Sequence, residues 1–142
     1  MAAAFDSAFL ATNRRADAKD PHRRGLEGLR TLCCEILPLD EERSLESKVV
    51  LVFWAQAVSS SEKRADNRRK YDRWREEILA RLEEAREDGD VDADLDLLAI
   101  AEQLITLLNG FQVSGALMPE FLQPPMQLTI IEGFLRRLQS GR

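Results

Sequence analysis

The sequence predicts an all-α fold: an antiparallel bundle of about six helices in one domain, residues 1–142. Three observations carry that expectation. Apolar residues recur every three or four positions rather than every two, which is the helical period. Only 5 prolines and 7 glycines punctuate the 142 residues, so long stretches run unbroken. Asp or Ser precedes several of those stretches, where a side-chain oxygen can accept from the free N–H groups of a first turn.

Taken in order, a partly polar first helix spans Met1 to about Lys19 and stops at Asp20-Pro21, because proline disfavours helical geometry in the residue before it. The second spans roughly His22 to Leu37, with Leu26, Leu29, Cys33, Ile36 and Leu37 on one side, and ends at Pro38. Asp40 offers an N-cap to a third helix running from about Glu41 to Val58, and Glu41 and Glu42 complement its positive end. Its Val49 to Val58 segment is apolar on nearly every side, which predicts a central element surrounded by other helices. Ser59-Ser60-Ser61-Glu62 has capping-box spacing and opens a fourth helix that runs to about Asp88. Tyr71, Trp74, Ile78, Leu82 and Ala85 form its apolar stripe, and Gly89 supplies the glycine expected past a helix end. Asp94 or Asp96 caps the fifth helix, which extends to about Met118 before Pro119, and the sixth occupies roughly Pro124 to Gln139.

The last two helices carry apolar residues on two sides. Leu104, Leu108 and Phe111 are backed by Ile105 and Leu107, and Leu128, Ile131, Leu135 and Leu138 by Ile130 and Phe134. One side suits a core and the other a second copy of the chain, while Gly110, Gly115 and Gly133 leave room for backbones to approach.

Composition excludes several function classes. Apolar residues make up 44% and charged residues 32%, values of a globular domain rather than a disordered tail. A net charge of −5 removes the positive field that a free-standing nucleic-acid binder carries. The longest dense apolar run, Val49 to Val58, is far short of the ~20 residues that cross a bilayer, so no membrane partner is expected. The N-terminal segment lacks a basic n-region and contains Asp6, which argues against a secretory signal and for a cytoplasmic protein. Cys33 and Cys34 are sequence neighbours about 100° apart around a helix, a geometry that forbids an unstrained disulfide and leaves two reduced thiols.

No catalytic constellation is apparent, and neither a cofactor nor a metal is expected. His22 is the only histidine, so a triad or a His-rich metal site would have to be built on one residue beside Pro21. The alternating Asp88, Asp90, Asp92, Asp94 and Asp96 suggest a calcium loop, but counting from Asp88 puts Ala93 at the glycine position and Ala99 at the bidentate one. A solvated capping turn fits better. The basic segment Arg68, Arg69, Lys70, Arg73 and Arg75 is interleaved with Tyr71 and Trp74, yet these two lie on the stripe of Ile78 and Leu82 and read as core with a charged outer face. The aromatic set Phe53, Trp54, Tyr71, Trp74 and Phe111, with Cys33, Gln56, Gln103, Asn109 and Gln112 as soft or polar neighbours, suits a small-molecule cavity and equally a solid core.

Leu37-Pro38-Leu39-Asp40-Glu41-Glu42-Arg43 followed by Val50-Leu51-Val52-Phe53-Trp54-Ala55-Gln56-Ala57 resembles the C-terminal domain of BetI-type regulators of the TetR family. Tyr71-Asp72-Arg73-Trp74-Arg75, the turn from Gly89 to Asp96, and Leu107-Leu108-Asn109-Gly110-Phe111 match further family segments in order, with Asn109 where an aspartate is usual. The resemblance covers about residues 1–139. It implies an effector pocket on which Cys33, Phe53, Trp54, Gln56, Tyr71, Trp74, Asn109, Phe111 and Gln112 are the candidate ligand-binding residues. The ligand expected there is an unidentified, mainly hydrophobic small molecule with one or two polar groups, and a cation over Trp54 or Trp74 is a further option. It also implies a homodimer through the last two helices, with Leu107, Leu128, Ile131, Phe134, Leu135 and Leu138 at the interface. Ala2-Ala3-Ala4-Phe5-Asp6 resembles the first helix of the regulatory domain, so the helix-turn-helix that such regulators carry before it is expected to be missing. Operator DNA would be reached only through that missing part. The expected role is therefore an effector-sensing and dimerisation domain of a repressor, not an enzyme. The alternative is a stand-alone dimerisation module that sequesters full-length regulators.

Overall fold

Side-chain caps set three of the helix starts. The computed structural model describes residues 2–139, which form α1 (Ala2–Lys19), α2 (Gly25–Ile36), α3 (Glu41–Ala57), α4 (Ser61–Glu87), α5 (Leu97–Leu117) and α6 (Pro124–Leu138). The expected helix start at Met1 lies outside the described residues. Asp40 accepts from the Arg43 N–H at 2.9 Å, Ser60 from Lys63 at 3.2 Å and Asp96 from Ala99 at 3.2 Å. Because Ser60 rather than Ser59 is the cap of α4, Lys63 takes the third helical position and the expected capping box with Glu62 does not form. At the far end of α4, Gly89 adopts φ +79°, and the Gly89 and Asp90 N–H groups close onto the Arg86 and Ala85 carbonyls, a Schellman ending. Among the described residues the only strand-like pairing is an isolated antiparallel bridge between Val91 and Gln139.

The main core is built from the inner stripes of α2, α4, α5 and α6, with Leu29, Leu32, Ile78, Leu82, Leu104 and Ile131 fully enclosed. Gly28 sits where α2 meets the α1–α2 turn: a Cβ there would lie 2.9 Å from the Arg23 backbone and 3.1 Å from Arg81 of α4. A second, smaller cluster joins α1 to α3, with the Phe5 and Phe53 rings stacked at 4.0 Å.

Although α3 touches α1, α4 and α5, the more deeply buried helix of the two is α5. It buries eight residues and packs against both α3 and α4, whereas α3 buries only Ser47, Phe53 and Ala57 and leaves Val52 and Val58 exposed. The Val49–Val58 run is apolar all round, but its outer positions hold small side chains whose exposure costs little. By length and composition α5 could also cross a bilayer, which the contiguous-run count overlooked because Gln103, Thr106, Asn109 and Ser114 interrupt it. Ala101 and Leu104 on its inner side are nevertheless enclosed in the core. Three expected interface residues on α6 also belong to that core. Ile131, Leu135 and Leu138 are 0, 2 and 6% exposed, because this edge of α6 lies against α2. Leu107 and Phe134 are half-buried against the core, and Leu128 is exposed.

Candidate functional site

A narrow cleft lies between α1 on one side and α3, α4 and α5 on the other. Its apolar walls are Phe5, Ala8 and Phe9 of α1, Val50 and Trp54 of α3, and Tyr71 and Trp74 of α4. Spacings of three and four bring Phe5, Ala8, Phe9 and Thr12 to one side of α1, and Phe9 meets Trp74 with ring centres 5.2 Å apart. The open space between the walls is small, about 40 Å3. That is room for a water or two, so anything larger must spread the aromatic walls.

Ion pairs fasten α1 over this cleft. Glu35, at the end of α2 and with no side-chain exposure, receives Arg15 Nε at 2.8 Å and Lys19 Nζ at 2.7 Å, with Arg43 at 4.0 Å. Arg15 also reaches Glu46 of α3 at 2.8 Å, and Lys70 of α4 reaches Asp6 at 2.6 Å. Burial pushes the Glu35 carboxyl up, but the hydrogen bonds from Lys19 and Arg15 and the charge of Arg43 outweigh it and hold the group below the usual carboxylate range. Burial lowers Lys70, and its hydrogen bonds to Asp6 and Asp66 overcome that, keeping it an ammonium.

The neutral polar groups of the wall are differently placed. The Trp54 indole N–H donates to Asn67 Oδ1 at 2.9 Å, and both residues also border an outer depression with Arg64 and Val58. The Trp74 indole N–H is buried and has no acceptor among the described residues. Gln112 is 3% exposed and Asn109 half-buried. Neither side-chain amide makes a hydrogen bond among the described residues, which leaves donors and acceptors free at the α5 wall.

Of the nine candidate ligand-binding residues, the cleft gathers Trp54, Tyr71, Trp74, Asn109 and Gln112. The other four stand elsewhere. Phe53, one position and 100° from Trp54, turns away to stack on Phe5. Gln56 accepts from Lys63 Nζ at 2.7 Å in the α3–α4 corner. Cys33 is enclosed in the main core, where burial pushes its thiol well up. Phe111 fills the same core and borders a groove on the outer side of α5 and α6. The sequence reading missed the α1 wall and Ser47, Glu35, Arg43 and Lys70. The Phe5, Ala8, Phe9, Thr12, Ala16 stripe was the available signal for α1, and nothing local marks the others.

The groove behind Phe111 runs between Gln103, Thr106, Leu107 and Gly110 of α5 and Leu122 and Ile130 near α6. Gly110 leaves open space there, since no atom lies within 4 Å of a Cβ at that position, and Gly133 meets only arginine side-chain tips. Close approach within the chain belongs to Gly115 instead, where a Cβ would lie 3.1 Å from Pro38 Cγ. The basic segment of α4 is largely matched by its neighbours: Arg68 and Arg75 pair with Asp72, Arg69 with Asp66, and Arg75 also with Glu102. In the acidic turn Asp96 caps α5 and Asp88 pairs with Arg24 at 2.8 Å.

Comparisons with known proteins point one way. A family model for the C-terminal domain of BetI-type transcriptional repressors matches residues 25–140. A crystal structure of a transcriptional regulator from Rhodococcus sp. Rha1 superposes with a TM-score of 0.74 over 96% of this chain and 67% of that one. At 19% identity, that likeness concerns the fold alone. No curated protein matches the chain.

Proposed function

The chain belongs to the BetI-type transcriptional repressors through its C-terminal domain, and from that premise we propose that it is the effector-sensing and dimerisation part of a cytoplasmic regulator. The observation that supports sensing best is the cleft under α1: five aromatic side chains enclose it, and Trp74 Nε1, Arg43 Nε and the Asn109 and Gln112 amides on its walls have no hydrogen-bond partner among the described residues. Such a site is apolar with a few groups that fix orientation. A ligand entering it separates α1 from α4. It acts on a regulator only through its differential affinity for the two positions of α1, typically ~1–3 kcal/mol of coupling.

Dimerisation uses the outer side of α5 and α6, where Leu107, Leu128, Ile130 and Phe134 remain partly uncovered around Gly110. Operator DNA is the task of a helix-turn-helix and not of these six helices, whose basic segment is largely spent on internal ion pairs. The role is binding rather than catalysis, in keeping with the repressor family that the chain matches.

Tryptophan fluorescence and thermal shift against a small-molecule panel test the sensing reading. Hits should stabilise the wild type and lose binding in Trp54→Ala and Trp74→Ala proteins that retain their helical circular dichroism. Hits that bind both variants as well as wild type would place the ligand elsewhere and refute it.

A further inference from the structure

The charges around the cleft are already matched. Four wall residues carry formal charge, two acidic and two basic. Glu35 is held by Arg15 and Lys19, Glu46 by Arg15, Arg43 by Asp40 at 3.1 Å, and Lys70 by Asp6 and Asp66. An ion entering here would leave water without an unspent counter-charge to receive it, which is the costly case.

The aromatic faces are also partly taken. Lys70 Nζ lies 5.0 Å from the Phe5 ring centre and the Arg73 guanidinium 5.6 Å from that of Phe9, so two walls that would attract a cation already bear one. What the cleft leaves open are two donors buried with no acceptor, the Trp74 indole N–H and Arg43 Nε–H, the latter on a guanidinium whose charge Asp40 already meets, and two side-chain amides on α5. The rings of Phe5, Phe9, Trp54, Tyr71 and Trp74 make up most of its apolar wall, so a planar molecule can lie against them. We infer that the cleft takes an uncharged, flat aromatic molecule bearing one hydrogen-bond acceptor, of the aryl ketone or aryl amide kind, rather than an organic cation or a carboxylate. This rests on the sensing reading above and narrows it to a ligand class.

Four probes built on one ring system separate the possibilities: naphthalene, 2-acetylnaphthalene, 2-naphthoate and 2-naphthyltrimethylammonium, each titrated into the full chain by calorimetry and thermal shift. The ketone should bind most tightly, about tenfold or more above either ion. Trp74→Phe keeps an aromatic wall, though a smaller one, and removes the N–H, so it should weaken the ketone about fivefold more than it weakens naphthalene, the worth of one neutral hydrogen bond. In wild-type protein labelled with 15N-tryptophan, the ketone should move the Trp74 indole proton downfield and naphthalene should not. That measurement stands even if the variant folds poorly. Either ion binding as tightly as the ketone, or an indole proton indifferent to the ketone, would overturn the ligand class while leaving the sensing role intact. Failure of all four probes to bind would mean that the walls do not part, and both readings would fall.

Discussion

Replacing Glu35 by glutamine should loosen the clasp that holds α1 over the cleft. The substitution keeps the volume, removes the charge and turns one acceptor into a donor facing Arg15 or Lys19. Removing one partner from a buried ion pair costs about 3–5 kcal/mol. Here part of that is recovered, because Lys19 is 58% exposed and regains water while Arg15 keeps Glu46. A loss of about 2–3 kcal/mol remains, which for a chain of this length lowers Tm by roughly 5–10 °C. The pH dependence gives a second reading. The folded-state Glu35 value is depressed, so its stabilisation is fully present above the unfolded value near ~4.3 and disappears as pH falls through the lower folded value. Urea unfolding followed by circular dichroism should therefore separate wild type from Glu35→Gln by a constant gap at pH 6–7 that narrows below about pH 4. Hydrogen exchange should show α1 amides opening more readily in the variant. A gap under ~0.5 kcal/mol, or one unchanged at pH 3, would show that the cluster is not what fastens α1.

On α6, Leu128→Lys should weaken self-association in sedimentation without altering the circular dichroism, since Leu128 is 37% exposed. Leu135→Asp should instead unfold the chain, because that side chain is 2% exposed in the core, where a buried charge without a partner costs several kcal/mol. Gly110→Ala should stabilise the isolated chain by about 0.5–1 kcal/mol, a helix-interior gain with open space for the methyl group, and should weaken self-association if the second copy seats on that groove. Gly28→Ala should cost about 1–3 kcal/mol in urea unfolding, because its Cβ would meet the Arg23 backbone at 2.9 Å.

The helices themselves were legible in the linear order of residues. Pro21, Pro38 and Pro119 end them, Asp40 and Asp96 cap them, and Gly89 closes α4, all through interactions within a few positions along the chain. Local chemistry of that range is written in sequence. Which of α3 and α5 is buried more deeply was not, because periodicity says how apolar a helix is and not how much of it is covered. Helix α3 touches α1, α4 and α5 yet leaves Val52 and Val58 in the open, while α5 carries the core. The same limit governs α6, whose two apolar sides are equivalent until α2 covers Ile131, Leu135 and Leu138. The cleft shows it most clearly. Trp54, Tyr71 and Trp74 could be chosen by residue type alone. The decisive facts, that Phe53 turns to Phe5, that Glu35 clasps α1 over the site, and that Trp74 keeps an unspent N–H, depend on contacts between residues distant in sequence. Only the packing of α1 across α2, α3 and α4 brings those side chains together, and only burial turns an ordinary indole N–H into an unmet demand.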